Sequence, residues 1–155
     1  EQSTYSETNA LLTSSAGKLK FQRPQQLAWQ IQTPSEQLLL LNNNELWLVD
    51  TELEQASLQQ LDNLEQTPLY WLINRADDIE KTPAYSHSEQ DISWYDANQA
   101  NQLKFGFRNS LLSAMTLNNE LGQKILLQFS EVKTNPSFEQ GAFKLKLNPD
   151  FDVIR

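Results

Sequence analysis

Few residues in this chain have the types and spacing that chemistry requires. Asp77 with Asp78, and Glu52 with Glu54, are the carboxylate pairs that a general acid/base site would draw on. Glycoside hydrolysis needs one carboxyl kept protonated beside one that is ionised. Nothing apolar surrounds either pair to raise one pKa, so both are read as solvated. His87 is the only histidine and stands in the polar run YSHSEQD. Any histidine metal site or Ser-His-Asp arrangement would have to use it, and a solvated loop position is expected instead. The absence of cysteine excludes a catalytic thiol, a thiolate metal site and a disulfide framework. Four glycines form no phosphate-cradling loop, and nothing resembles a nucleophile elbow. Asp50 and Asp62 lack the dense ligand spacing of a calcium loop. No catalytic residue, cofactor or metal is expected.

One charge does stand in a telling place. In GKLKFQRPQQLAWQI, Leu19, Phe21 and Arg23 alternate with Lys18, Lys20 and Gln22. Side chains on a strand repeat every two residues, so Arg23 falls in line with the apolar side. A permanent cation is thereby expected at the rim of a hydrocarbon surface.

The elements that position it are mostly strands. Leu27, Trp29 and Ile31 alternate with polar or small neighbours, as do Leu103, Phe105 and Phe107, and, with one slip at Leu126, Ile125, Leu127 and Phe129. Phe143, Leu145 and Leu147 alternate with Lys144 and Lys146. Each run reads as a strand with one wet and one apolar face. TPSE at Thr33, NNNE at Asn42 and KTNPSFEQG at Lys133 supply turn residues, and short early spacings suggest an antiparallel meander. TPLYWLINRADDIEK breaks this period: Thr67 can cap a helix with Pro68 at its first position, and Leu69, Leu72, Ile73 and Ala76 then share a face. One or two short helices are expected between about Leu58 and Lys81.

At 155 residues the chain is the size of one domain. Its net charge of -8, with no basic cluster, argues against nucleic acid and anionic membrane surfaces. No apolar run approaches a membrane span: LLLL at Leu38 has four residues. A large sheet with one apolar face must bury that face, and one helical patch cannot cover it all. A curved, incompletely closed antiparallel barrel with an internal space follows, and with it a domain that binds something apolar.

Several motifs in order resemble a known family. GKLKFQRPQQLAW is similar to the G-x-L-x-h-x-R-P-x-x-h-x-W signature (h, hydrophobic) of LolA, the periplasmic outer-membrane lipoprotein carrier. ELWLVDTELEQA, TPLYWLI, LGQKILLQFSEV and FKLKLNPDFDVI resemble further family stretches in the same order. The resemblance implies a mainly β fold with minor α, an unclosed antiparallel barrel of about eleven strands with an α-helical lid, forming one carrier domain over 1–155. It also implies a lid helix before the first strand. The chain opens on EQSTYSET, which corresponds to that strand, so the helix is expected to be missing here.

By the same resemblance, Arg23 contacts lid-helix carbonyls, with Leu72 and Ile73 as the expected acceptors. The lipid-binding wall is expected from Leu19, Phe21, Leu27, Trp29, Ile31, Leu69, Leu103, Phe105, Phe107, Met115, Ile125, Leu127 and Phe129. The implied partners are acylated lipoproteins as cargo, an inner-membrane ABC lipoprotein-releasing transporter and the outer-membrane receptor LolB. A monomeric, non-enzymatic periplasmic carrier is the expectation. A LolB-like receptor or lipid sensor on the same open barrel is the alternative, and a hydrolase using an Asp/Glu pair has little support.

Overall fold

The computed structural model describes residues 1–60, 67–75, 77, 79 and 81–155. Among the described residues, twelve strands and one helix follow in chain order: β1 (Gln2–Tyr5), β2 (Leu11–Gln22), β3 (Gln26–Thr33), β4 (Gln37–Asn42), β5 (Glu45–Asp50), β6 (Gln55–Gln59), α1 (Pro68–Ile73), β7 (Ala84–Glu89), β8 (Ile92–Asn98), β9 (Leu103–Arg108), β10 (Leu111–Asn118), β11 (Lys124–Gln128) and β12 (Asp152–Ile154). The strands form one hydrogen-bonded sheet in the order β12-β6-β5-β4-β3-β2-β1-β11-β10-β9-β8-β7. The order ends on two different edge strands, so the sheet is open. It has twelve strands where about eleven were expected.

Two of the sequence expectations need correction. The sheet is not wholly antiparallel: β12 pairs with β6 in parallel, Val153 opposite Ala56. A parallel neighbour needs a long connection, and most of the second half of the chain separates these two strands. Second, Phe143, Leu145 and Leu147 belong to no strand. Their alternation records a buried face without a hydrogen-bond ladder, because the segment lies across side chains of the sheet instead of extending it.

The residues pack as two compact units. One holds the rest of β2 from Ser15, β3 to β6, α1 and the C-terminal segment with β12. Its core joins Ala28, Leu40, Trp47, Val49 and Ala56 to Phe143, with Phe138, Leu145, Leu147 and Phe151 packed around them. The four-leucine run explains itself here. Leu38 and Leu40 face this cluster, so Leu39 and Leu41 must face the other way. A strand apolar on both faces shows a continuous run, not an alternation. Gly17 sits at a β-bulge between β2 and β3, where a Cβ would collide with the Gln30 carbonyl oxygen. The other unit holds β1, the start of β2 and the antiparallel ladder β11 to β7.

Of the one or two short helices expected between about Leu58 and Lys81, the described residues show α1. Leu58 belongs to β6, and α1 covers only six residues. Ala76, Asp62 and Asp78 lie outside the described residues.

Candidate binding site

Arg23 lies one residue past the end of β2, in the turn Arg23-Pro24-Gln25 that leads into β3. Gln25 takes a left-handed backbone conformation, φ 57°. The helix α1 begins at Pro68, whose missing N–H costs nothing at a first helical position. At the other end an α-helix leaves its last four carbonyls without partners inside the helix. All four are satisfied here. Asn74 donates to Tyr70 O from its backbone N–H at 3.3 Å and from its side-chain amide at 2.9 Å. Arg23 Nη2 donates to Trp71 O at 3.2 Å, and Arg23 Nε donates to Leu72 O at 3.0 Å. The backbone N–H of Gln25 donates to Ile73 O at 2.8 Å.

The acceptors of Arg23 are therefore Trp71 and Leu72, where Leu72 and Ile73 were expected. Two nitrogens of one guanidinium edge reach two consecutive carbonyls, and the turn's own backbone takes the third. The guanidinium also lies over the Phe21 ring, 5.6 Å from its centroid. A cation here meets the partial negative charge of a helix C-terminus. Gln25 is tied on its other side too, since its carbonyl accepts from Asn43 N–H at 2.9 Å in the β4–β5 turn.

The strands beside this turn carry the first half of the expected wall. Cross-strand register places Phe21 opposite Leu27, Leu19 opposite Trp29 and Gly17 opposite Ile31. Leu27 stands opposite Leu41, which stands opposite Leu46. Leu27 and Leu41 are almost wholly buried, at 0% and 1% exposure. Leu19, Phe21, Trp29 and Ile31 are half-buried. Leu69, Trp71, Leu72 and Ile73 of α1 are all buried. Leu39, Leu41, Leu46 and Leu48 belong to the same rows and were missed, because LLLL and LWLV carry no period-2 signal.

The second half of the expected wall lies in the other unit, again on one face. Tyr95 stands opposite Phe105, Phe105 opposite Met115 and Met115 opposite Leu127. Ile125 stands opposite Leu117, and Phe107 opposite Ser93. Leu103, Phe105, Met115 and Leu127 are buried. Phe107 and Ile125 are half-buried. Phe129 lies just past β11, half-buried, with its N–H bonded to Ser113 O at 2.9 Å. Tyr95 and Leu117 share this face and were not anticipated. Tyr95 makes edge-to-face contacts with Phe107 and with Tyr85, both at 5.7 Å.

The family model described as outer membrane lipoprotein carrier protein LolA matches residues 1–146. The chain belongs to the LolA family. Curated relatives named outer-membrane lipoprotein carrier protein include one from Pseudomonas paraeruginosa, 30% identical over 99% of this chain and 78% of its own length. One from Hahella chejuensis is 28% identical over 99% and 78%, and one from Coxiella burnetii 24% over 99% and 77%.

In this LolA-family chain the described members of the candidate catalytic set do not converge, and Asp78 lies outside the described residues. Glu52 and Glu54 are exposed in the β5–β6 turn, and Asp77 is exposed. His87 is solvated as expected but lies in edge strand β7, not in a loop. Its ring stacks near Trp94 at 6.5 Å, with Ser86 Oγ 2.9 Å from Nδ1. Among the described residues no three His, Asp or Glu side chains are placed to hold a metal ion. Asp50 is held below the usual carboxylate range, first by the Leu53 N–H at 3.0 Å and then by the Gln37 side-chain amide at 3.1 Å. The Leu53 bond shapes the β5–β6 turn, and the Gln37 bond ties β5 to β4. No described helix is long and apolar enough to cross a membrane.

The LolA-family chain also has an open cleft of ≈ 780 Å³ at the β7–β8 and β9–β10 turns, in the unit that carries the Phe105–Met115–Leu127 row. Tyr95 and Phe107 line it together with polar residues that include Ser93, Asp91 and Arg108.

Proposed function

We propose that this protein is a periplasmic carrier that binds the acyl chains of lipoproteins released from the inner membrane and delivers them to an outer-membrane receptor. An ABC lipoprotein-releasing transporter would supply the cargo and LolB would accept it. The relatives' shared name supports the cargo class. The observation that carries the mechanism is the way Arg23 and Gln25 bond the end of α1 to the β2–β3 turn, beside rows of leucine and aromatic side chains.

The energetics explain why a carrier needs such a bond. Burying a methylene yields about 0.8 kcal/mol, so one chain of about sixteen carbons gains on the order of 12 kcal/mol. Several fully buried chains would pass the practical affinity ceiling of about 18 to 21 kcal/mol, and such a carrier would not release its load. A closed empty state with its own stability competes with the loaded one and lowers net affinity. Arg23, Gln25 and the carbonyls of Trp71, Leu72 and Ile73 are the latch of that closed state in this proposal. In each unit the half-buried side chains are the surface that acyl chains meet: Leu19, Phe21, Trp29 and Ile31 in one, and Phe107, Ile125 and Phe129 in the other. The buried ones, Leu27, Leu69, Leu103, Phe105, Met115 and Leu127, stand behind or under that surface.

A transfer assay tests the proposal. Inner-membrane vesicles loaded with a labelled lipoprotein are incubated with the protein, and the soluble fraction is then passed to LolB-bearing liposomes. Soluble label that moves on to the liposomes is the expected result. Label that never leaves the vesicles sinks the proposal, and label that leaves but is not passed on points to a receptor or sensor.

A further inference from the structure

We propose that the cleft at the β7–β8 and β9–β10 turns seats polypeptide: the residues of an acylated cargo that adjoin its lipid-bearing end. This rests on the carrier reading above and adds a second subsite to it.

The floor of the cleft is continuous with hydrocarbon. Tyr95 and Phe107 meet edge to face at 5.7 Å and share a sheet face with Phe105, Met115 and Leu127. An acyl chain lying on this face, against the half-buried Phe107, therefore arrives at the cleft. The cleft walls differ in kind. Ser93, Asn109 and Ser110 offer donors and acceptors, and Asp91 and Arg108 bring one charge of each sign. An alkyl chain would strip water from these groups and return no hydrogen bond, which costs free energy at every group. An anionic head group would be drawn by Arg108 and repelled by Asp91. A peptide is neutral and carries one donor and one acceptor at almost every residue, both of which need partners when pressed against a surface. It suits walls of mixed polarity and balanced charge.

The cleft is also held in shape before any ligand arrives. Both turns place two residues at positive φ: Gln90 at 50° and Asp91 at 64°, Asn109 at 50° and Ser110 at 64°. That is the tight two-residue hairpin turn whose twist matches its strands. Arg108 Nη2 donates to Gln90 O at 3.2 Å and ties one turn to the other. A preformed site loses less entropy on binding than one that must be ordered. Its volume of ≈ 780 Å³ falls in the range of about 300–1,000 Å³ typical of ligand clefts.

The test compares two probes on the full chain by titration calorimetry: palmitate, and a short neutral peptide carrying one N-terminal palmitoyl group. Two variants are used. Asp91→Gly and Arg108→Ala each remove a wall group at an exposed position that can be lost without unfolding. Each variant is expected to weaken the acyl-peptide about tenfold, the equivalent of one or two hydrogen bonds, and to leave palmitate within about twofold. Equal weakening of both probes overturns the proposal, because the cleft would then hold acyl chain. No change in either probe overturns it as well. A wild-type chain that binds neither probe removes the carrier reading itself, and the proposal with it.

Discussion

Gln25 donates its backbone N–H to the Ile73 carbonyl at 2.8 Å, one residue along the helix from the Leu72 carbonyl that Arg23 engages. The end of α1 is thus held by a side chain and, independently, by the backbone of the same turn. Arg23→Leu removes only the first. Hydrogen bonds to a charged group are worth about 1.5–3 kcal/mol, so the variant should unfold at a lower urea concentration yet keep α1 in place. Under the proposed function the closed state then competes less well, and lipoprotein should pass to its receptor more slowly than from wild type. Transfer at the wild-type rate would falsify the latch.

Arg23→Lys separates charge from geometry. An ammonium keeps the charge at the helix C-terminus but cannot present two donors in a fixed fork to two adjacent carbonyls. Its transfer rate and urea midpoint should fall between those of wild type and Arg23→Leu. A lysine variant that matches the leucine variant shows that the paired geometry carries the whole effect.

The Phe143 core of the α1-containing unit should respond differently from the β9–β11 face. Phe143→Ala empties a site in a core of Ala28, Leu40, Trp47 and Val49 and should cost about 3–5 kcal/mol in denaturant titrations, with affinity for a fluorescent fatty-acid probe unchanged. Ile125→Ser, at a half-buried position, should weaken the probe while the melting temperature shifts little. If Ile125→Ser loses stability and not affinity, that row is core and not a binding surface.

Gly17→Ala tests the bulge in β2. The added methyl runs into the backbone of Gln30, which cannot swing away as a long side chain would. Overpacking of this kind costs about 1–3 kcal/mol. Equilibrium unfolding measures it, and an unchanged midpoint would show that the β2–β3 register relaxes freely.

Asp50 supplies a pH dependence of definite sign. Its pKa is lowered in the fold by the Leu53 N–H and the Gln37 amide, so the folded state favours the carboxylate. The resulting stability is present above the unfolded value near 3.8 and is lost as pH falls through the lower folded value. Asp50→Ala should therefore be less stable than wild type at neutral pH, with the two curves converging below pH 3.8. A difference that grows on acidification contradicts the assignment.

Local pattern determined a good deal about this protein. Alternation in residues 19–31 and 103–129 placed apolar side chains on common faces, and register in each unit puts them there, because a strand's side-chain period is independent of what the strand pairs with. Thr67-Pro68 marked the start of α1 for an equally local reason, and the ordered motifs pointed to the LolA family. Other features depend on which distant segments meet. The sequence could not show that Phe143, Leu145 and Leu147 cover a sheet without joining it, since burial and hydrogen bonding leave the same alternation. It could not show that β12 pairs in parallel with β6, or that LLLL serves two faces at once. Arg23 could be placed at a rim from its period, but its acceptors could not. A strand's period fixes the direction of a side chain, while the carbonyls it meets depend on where a helix almost fifty residues away comes to rest. Only the tertiary structure decided that Trp71 and Leu72 face the guanidinium and that Ile73 meets the backbone of Gln25.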